Sequence, residues 1–140
     1  MERLSYVLDT NAVADYLNDT QTTKSRIEES IEAGHVVNLC QPVYYEVMRG
    51  LLKTNSTRKL AQFENVLVPQ LEWLQLSDVD WQLAAELWVE TSKRGKQLSD
   101  TDLLLAAITM HLKGILISAD EDFNALSVRR ENWRNVQGID

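Results

Sequence analysis

Short apolar runs separated by helical segments are the feature that most constrains the fold of this chain. Tyr6-Val7-Leu8 and Ile115-Leu116-Ile117 are continuously apolar rather than alternating with polar residues. Strands of this kind are buried on both faces, as in parallel sheets that helices cover on both sides. Strands are predicted at residues 4–8, 36–40, 73–76 and 115–118, and a short fifth one near Val128 or Val136.

Helical segments lie between these runs. They are predicted over residues 11–17, 24–33, 42–53, 57–67, 79–94 and 99–113. Gly34, Gly95 and Gly114 are expected to stop three of them, because glycine commonly follows the last helical residue. Strands alternating with helices predict an α/β fold with a central, mainly parallel sheet of four or five strands.

The length and composition indicate one globular domain spanning residues 1–140. The chain has 140 residues, of which 44% are hydrophobic, enough for a sizeable core. No apolar run approaches the roughly 20 residues that span a bilayer, and no signal-peptide pattern is present. A cytoplasmic protein without membrane contact is therefore expected. Cys40 is the only cysteine, which excludes an internal disulfide and a zinc–cysteine cluster.

The charge balance leaves nucleic-acid binding open. A net charge of −7 opposes passive binding, because that affinity rests on Lys and Arg neutralising phosphates. The cations are nevertheless grouped. They occur at Arg49 with Lys53, at Arg58-Lys59, at Lys93-Arg94 with Lys96, and at Arg129-Arg130 with Arg134. Each group is interpreted either as solvated surface or as a track for phosphates or an acidic partner.

Four acids recur near predicted strand ends. Asp9 directly follows the first strand, Glu46 lies in the helix after the second, Asp102 opens an apolar helix, and Asp120 follows the 115–118 strand. The carboxyl ends of parallel strands share one edge of the sheet. Carboxylates gathered there repel one another unless a cation lies among them, and Mg²⁺ prefers oxygen ligands. The pattern predicts a metal-dependent enzyme acting on phosphate esters.

Each acid also has a simpler interpretation. Asp9 could cap the next helix, Glu46 could be an exposed helix position, residues 99–102 resemble a capping box, and Asp120 could belong to an acidic turn. None of these interpretations explains why all four acids are predicted at the same edge of the sheet. Dinucleotide binding is disfavoured because no Gly-x-Gly-x-x-Gly follows the first strand, and the lack of a Gly-Lys-Ser/Thr loop excludes a P-loop NTPase.

Four segments together resemble the PIN-domain ribonucleases, in particular the VapC-type toxins of bacterial toxin–antitoxin pairs. They are Leu8-Asp9-Thr10-Asn11, Tyr45-Glu46-Val47-Met48-Arg49-Gly50, Asp102-Leu103-Leu104-Leu105-Ala106-Ala107 and Ile117-Ser118-Ala119-Asp120-Glu121-Asp122-Phe123. The resemblance covers nearly the whole chain. It implies a three-layer α/β/α fold and a Mg²⁺- or Mn²⁺-dependent endoribonuclease with a cytoplasmic antitoxin partner and frequent homodimers.

The resemblance also implies the residues of the site. Asp9, Glu46 and Asp102 match the family's acids directly, and the fourth acid is Asp120 or Asp122. These carboxylates would bind one or two metal ions and cut RNA to leave a 5′ phosphate. Residues expected to support them are Thr10, Asn11, Asp100 and Ser118, the last standing where threonine is usual.

Other functions stay open at this point. They are a PIN-fold nuclease of RNA processing without a toxin role, a metal-dependent phosphatase, and a metal-binding module without catalysis. An aspartyl-phosphate phosphatase would carry a second acid two residues after Asp9, where this chain has Asn11.

Two aromatic residues in the 79–94 helix admit two interpretations. Trp81 and Trp88 share a helical face with Ala84 and Ala85. Packing in the core is favoured over a groove that accepts an antitoxin helix. His35, His111 and Cys40 are expected to be structural.

Overall fold

The strands form a single parallel sheet. A computed structural model describes residues 2–135. The strands are Ser5–Leu8 (β1), Val36–Cys40 (β2), Glu72–Leu74 (β3), Ile115–Ile117 (β4) and Arg130–Glu131 (β5). Their order is β3-β2-β1-β4-β5, and all neighbours are parallel. The fifth strand thus follows Val128; Val136 lies outside the described residues.

Helices cover both faces of this sheet and complete the predicted α/β/α layers. They are Thr10–Leu17 (α1), Gln21–Glu32 (α2), Gln41–Lys53 (α3), Thr57–Gln62 (α4), Asp78–Lys93 (α5) and Asp100–Leu112 (α6). Helix α1 packs against α2 and α3, and α5 packs against α6. Within residues 2–135, no helix combines the length and apolarity needed to cross a bilayer.

The helix predicted over residues 57–67 is present, but it is not α-helical throughout. Helix α4 ends at Gln62 and continues as a wider π-helical turn, Phe63–Leu67, and then as a 3₁₀ turn, Val68–Gln70. Phe63 and Leu67 are both fully buried, and Pro69 has no N–H with which to continue an α-helix. The change of pitch therefore keeps two apolar side chains in the core while the chain turns towards β3.

The end of α6 differs from the expectation for Gly114. The residue in the left-handed region is Lys113, with φ 59°. At Gly114 a Cβ atom would lie 3.0 Å from the carbonyl oxygen of Ser5. This glycine therefore permits the close approach of β4 to β1. Gly34 and Gly95 do adopt positive φ values, 88° and 72°, as helix-terminating glycines often do.

The core is centred on β1 and β4. Val7, Leu8 and Leu116 are completely buried, and Cys40 is buried as predicted. The one polar side chain of β2, Asn38, donates through its amide to the carbonyl oxygen of Tyr6 at 2.8 Å. This bond satisfies a buried polar group and ties two central strands together.

Candidate active site

Asp9 joins the centre of the sheet to α1. Its backbone N–H donates to the Ile117 carbonyl oxygen at 3.1 Å, and its Oδ1 accepts from the Ala12 N–H at 2.6 Å. The residue is only 5% exposed. Asp9 is therefore the N-cap of α1, as the simpler interpretation held, and it also lies at the carboxyl edge where β1 meets β4. Open α/β sheets bind their ligands at such a position, where the strand order reverses.

Ser118 connects Asp9 with the loop that carries Asp120. Its buried hydroxyl accepts from the Asp120 N–H at 3.0 Å and donates to the Asp9 carboxylate. Arg130 holds the same residue from β5, since its Nη1 donates to the Ser118 carbonyl oxygen at 2.8 Å. The hydroxyl thus orients one acid and positions the backbone of another.

Glu46 is brought to this edge by α3, which starts directly after β2. The Thr10 hydroxyl donates to its Oε1 at 2.6 Å. Its Oε2 lies 3.6 Å from Arg49 Nη2, and the Glu46 side chain is 22% exposed. The interpretation of Glu46 as a freely solvated helix position is therefore wrong. Its carboxylate is held by Thr10, the residue that follows Asp9 in the chain.

Asp102 lies in the first turn of α6. The Ser99 hydroxyl accepts from its N–H at 3.1 Å, so the predicted cap is present. Desolvation by burial raises the pKa of Asp102, the hydrogen bond from Ser99 opposes this, and the charges of Asp120 and Glu46 raise that pKa further. Acids from α3, α6 and the loop after β4 therefore act on one another.

Asp9 belongs to the same electrostatic cluster. Burial raises its pKa to about 6, against hydrogen bonds from Ser118 and Ala12, and the charges of Asp102 and Asp15 add to the rise. A carboxyl group that costs free energy when ionised is typical of functional sites. The structure thus gathers Asp9, Glu46, Asp102 and Asp120 at one edge.

These residues suit a hard divalent cation through the chemistry of their donors. All four offer carboxylate oxygens, the ligands that Mg²⁺ and Mn²⁺ prefer, and their mutual repulsion is what a cation would relieve. In residues 2–135, however, no three acidic, histidine or cysteine side chains stand close enough to hold one ion together as placed. Rotation of side chains would have to accompany binding.

The remaining predicted site residues are placed differently. Asp122 is exposed, and its N–H donates to Asp120 Oδ1 at 2.9 Å, so Asp120 is the acid that acts on Asp102. Asn11 lines a small cavity between α1 and the loop after β4. Asp100 lies on the rim of a groove between α5 and α6. Within the described chain, no hydrogen bond joins the side chain of Asn11 or Asp100 to the four acids.

An ion pair between the buried Asp15 and the half-exposed Arg134 was not predicted. Asp15 of α1 is 7% exposed and accepts two bonds from Arg134, at 2.8 Å from Nε and 2.9 Å from Nη2. The Thr23 hydroxyl donates to the same carboxylate at 2.9 Å. Because 119 residues separate Asp15 from Arg134, no local pattern could have connected them.

The preferred interpretation of Trp81 and Trp88 as core residues is wrong. Their indoles are 55% and 54% exposed, and they line an open groove of about 480 Å³ together with Ala84, Ala85 and Leu104. That the groove accepts an antitoxin helix stays a prediction. The interpretation of His111 as structural fits its contact: its Nδ1 lies 2.7 Å from Oδ1 of Asp80, a buried residue in the first turn of α5.

The groups of cations separate into two kinds. Arg94, Arg130 and Arg134 bind protein groups: the Ala125 carbonyl oxygen, the Ser118 carbonyl oxygen and Asp15. Arg49 and Lys53 instead line an open groove together with Thr10, Glu46 and Gly50. Both cations of this second kind lie beside Glu46 and are exposed.

Comparison with known proteins agrees with this architecture. The family model described as PIN domain matches residues 6–128. VapBC2 from Rickettsia felis, solved bound to a DNA fragment from its promoter, superposes with a TM-score of 0.84 at 19% identity, over 93% of this chain and 99% of that one. DNA-bound VapBC from Salmonella typhimurium gives 0.82 at 18% identity, over 93% and 98%.

A structure with a lower TM-score but a higher identity shares the fold as well. VapBC-5 from Mycobacterium tuberculosis has a TM-score of 0.66 at 24% identity, covering 90% of this chain and 96% of that one. No curated protein matches the sequence significantly. At these identities the solved structures establish the likeness of the fold.

Proposed function

Because the chain belongs to the PIN domain family, we propose that it is a VapC-type toxin that hydrolyses RNA phosphodiester bonds with Mg²⁺ or Mn²⁺. The observation that carries the proposal is the acidic cluster at the carboxyl edge of the sheet. Asp9, Glu46, Asp102 and Asp120 come from four separate parts of the chain, and burial and mutual repulsion raise the pKa values of Asp9 and Asp102.

In this proposal, the four acids would hold the metal ion or ions, and Asp120 takes the fourth place in preference to Asp122. A bound divalent ion lowers the pKa of its water and offsets charge on the phosphate oxygens. The protein's own groups arrange the acids for this purpose. Thr10 orients Glu46 through its 2.6 Å hydrogen bond, and Ser118 orients Asp9.

The buried position of Asp9 would strengthen its attraction to a metal ion. At 5% exposure its carboxylate is largely shielded from water, so its attraction to a cation is less screened than that of a surface carboxylate. Asp9 would therefore anchor the ion, while the more exposed Glu46 and Asp120 face the substrate side. The RNA product is proposed to carry a 5′ phosphate.

The biological setting is proposed from the same likeness. Several similar folds were solved as VapBC complexes, and this supports an antitoxin partner for this chain. We propose a cytoplasmic protein whose residues 1–140 form one domain, and which pairs with a second copy. A nuclease of RNA processing would share the site and differ in lacking the antitoxin.

Substitution of the acids tests the activity. Asp102→Asn and Asp9→Asn should each lower the cleavage rate of a labelled RNA with Mg²⁺ present by at least roughly 10- to 100-fold, because losing even a group that only orients a metal ligand costs this much. Asp78→Asn is the matched control, since Asp78 also lies at a helix start but is exposed and outside the cluster.

Two results would contradict the proposal. One is RNA cleavage by Asp102→Asn at the parent rate. The other is hydrolysis of a chromogenic phosphomonoester without hydrolysis of RNA, which would favour the phosphatase. Arrest of bacterial growth on expression, relieved by the protein encoded next to the gene, would separate the toxin from a processing nuclease.

A further inference from the structure

One face of α3 carries an aromatic residue and two cations in line. Tyr45, Arg49 and Lys53 are spaced four residues apart, so they follow one another along the helix surface. All three residues are exposed, Tyr45 to 60%. We call these three residues the α3 stripe.

The α3 stripe adjoins the acidic cluster. Arg49 and Lys53 line an open groove of about 620 Å³ together with Thr10 and Glu46. The guanidinium of Arg49 lies 3.6 Å from Glu46 Oε2 and remains 59% exposed. Within residues 2–135, Lys53 makes no salt bridge. Both cations therefore keep donors directed to solvent close to the acids.

The chemistry of the α3 stripe matches one kind of ligand. Two adjacent cations stand out on a protein of net charge −7, and they complement phosphates spaced along a strand. The guanidinium carbon of Arg49 lies over the Tyr45 ring, 5.1 Å from its centre, and exposed aromatic rings and guanidinium groups are both groups on which a base can stack. Stacking of this kind needs an unpaired base, which a duplex does not offer.

We propose that single-stranded RNA lies along the α3 stripe, with Arg49 and Lys53 on successive phosphates and a base on Tyr45, so that its next phosphate reaches the acidic cluster. This inference rests on the proposed ribonuclease function and names the form of its substrate. The positions of these three side chains beside Glu46 set the direction from which the strand enters.

Binding of a fluorescein-labelled single-stranded RNA of about 12 nucleotides tests the inference. Asp102→Asn is present in every protein so that the RNA is not cut. Arg49→Gln with Lys53→Gln should weaken binding at least tenfold. It should also reduce the slope of log affinity against log salt by roughly 1.4, since each phosphate contact on a single strand contributes about 0.7. A merely structural role of the two cations would leave that slope unchanged.

A matched double variant controls for the loss of net charge. Arg3→Gln with Lys113→Gln also removes one arginine and one lysine, both exposed. These residues lie near the starts of β1 and β4, at the opposite edge of the parallel sheet. This variant should bind the RNA about as well as the parent.

Tyr45 is tested separately. Tyr45→Ala should weaken binding at least about fivefold, the lower end of the effect of removing one stacking platform, and Tyr45→Phe should preserve binding. A duplex of the same sequence should bind more weakly than the single strand.

The outcomes separate this inference from the function on which it rests. If the parent neither cleaves nor binds RNA, the ribonuclease function and the RNA-binding role of the α3 stripe are both contradicted. Suppose instead that the parent cleaves RNA, but the Arg49/Lys53 variant binds RNA as tightly as the parent, or the control variant loses as much RNA affinity. In either case only the role of the α3 stripe is contradicted. Loss of antitoxin binding without loss of RNA binding would reassign the α3 stripe to a protein partner. Equal binding of duplex and single strand would overturn the single-stranded assignment.

Discussion

At the scale of the residue, Asp9 shows how a site can oppose stability. Its pKa in the folded protein is about 6, against 3.8 for the free side chain. Because burial disfavours the ionised carboxylate, ionisation of Asp9 lowers the free energy of unfolding. This loss of stability is absent below pH 4, grows as the pH rises from about 4 to about 6, and is fully present above pH 6. A shift of this size corresponds to about 3 kcal/mol.

Asp9→Asn should therefore stabilise the metal-free protein in a pH-dependent way. The gain in free energy of unfolding over the parent should be small near pH 4 and reach about 1–3 kcal/mol at pH 8, because Asn keeps the bond from Ala12 and carries no charge. Urea denaturation in EDTA at both pH values measures it. If the variant's gain in free energy of unfolding over the parent is the same at both pH values, the raised pKa of Asp9 is contradicted. Asp78→Asn should show no comparable rise.

At the scale of the element, α5 presents an apolar face that the isolated chain leaves uncovered. Trp81 and Trp88 line the groove together with two small residues, Ala84 and Ala85. Exposed indoles around a concave surface are typical of protein interfaces. Helical spacing identified the shared face of these residues. It did not decide whether α6 would cover that face, because this depends on the angle at which the two helices pack.

Trp88→Ala tests the prediction that the groove accepts the antitoxin helix. It should weaken antitoxin binding by roughly tenfold or more, measured by calorimetry, while the free energy of unfolding changes little because the indole is already more than half exposed. Trp73→Ala is the control, since Trp73 is 50% exposed on β3 and lies outside this groove. Unchanged antitoxin binding with loss of self-association would assign the groove to the second copy instead.

At the scale of the whole molecule, the ion pair of Arg134 with Asp15 joins the segment after β5 to the first helix. It also places a cation near the acidic cluster. The hydrogen bonds that Arg134 donates to Asp15, together with the charges of Asp15 and Asp9, raise the pKa of Arg134. This ion pair links residues near the two ends of the described chain, and it therefore holds in place the edge of the sheet that carries Asp9.

Arg134→Met should lower the free energy of unfolding at pH 7 by about 1–3 kcal/mol, less than for a fully buried pair because the guanidinium is 48% exposed. This loss of free energy of unfolding arises because the buried carboxylate of Asp15 is left without its cation. Adding Asp15→Asn should recover part of the loss, which a double-mutant cycle by urea denaturation measures. Additive effects of the two substitutions would contradict the coupling. Lys24→Met, which breaks an exposed pair with Asp19, should have little effect.

Much of the fold followed from local patterns. Continuous apolar runs indicated the buried strands β1 and β4, and glycines at positions 34 and 95 ended α2 and α5 where expected. Element boundaries shifted where tertiary packing overrode local preference. Examples are the π-helical turn that keeps Phe63 and Leu67 buried, and β3, which is Glu72–Leu74 rather than residues 73–76.

The sequence by itself determined the acids, their order, and their place at strand ends and helix starts, because apolar periodicity and parallel topology send those positions to one edge. The tertiary structure alone decided which acids act on one another, that Ser118 joins Asp9 to the Asp120 loop, that Arg134 neutralises Asp15, and that two indoles stay uncovered. These facts depend on distances between residues far apart in the chain, and no local pattern encodes such distances.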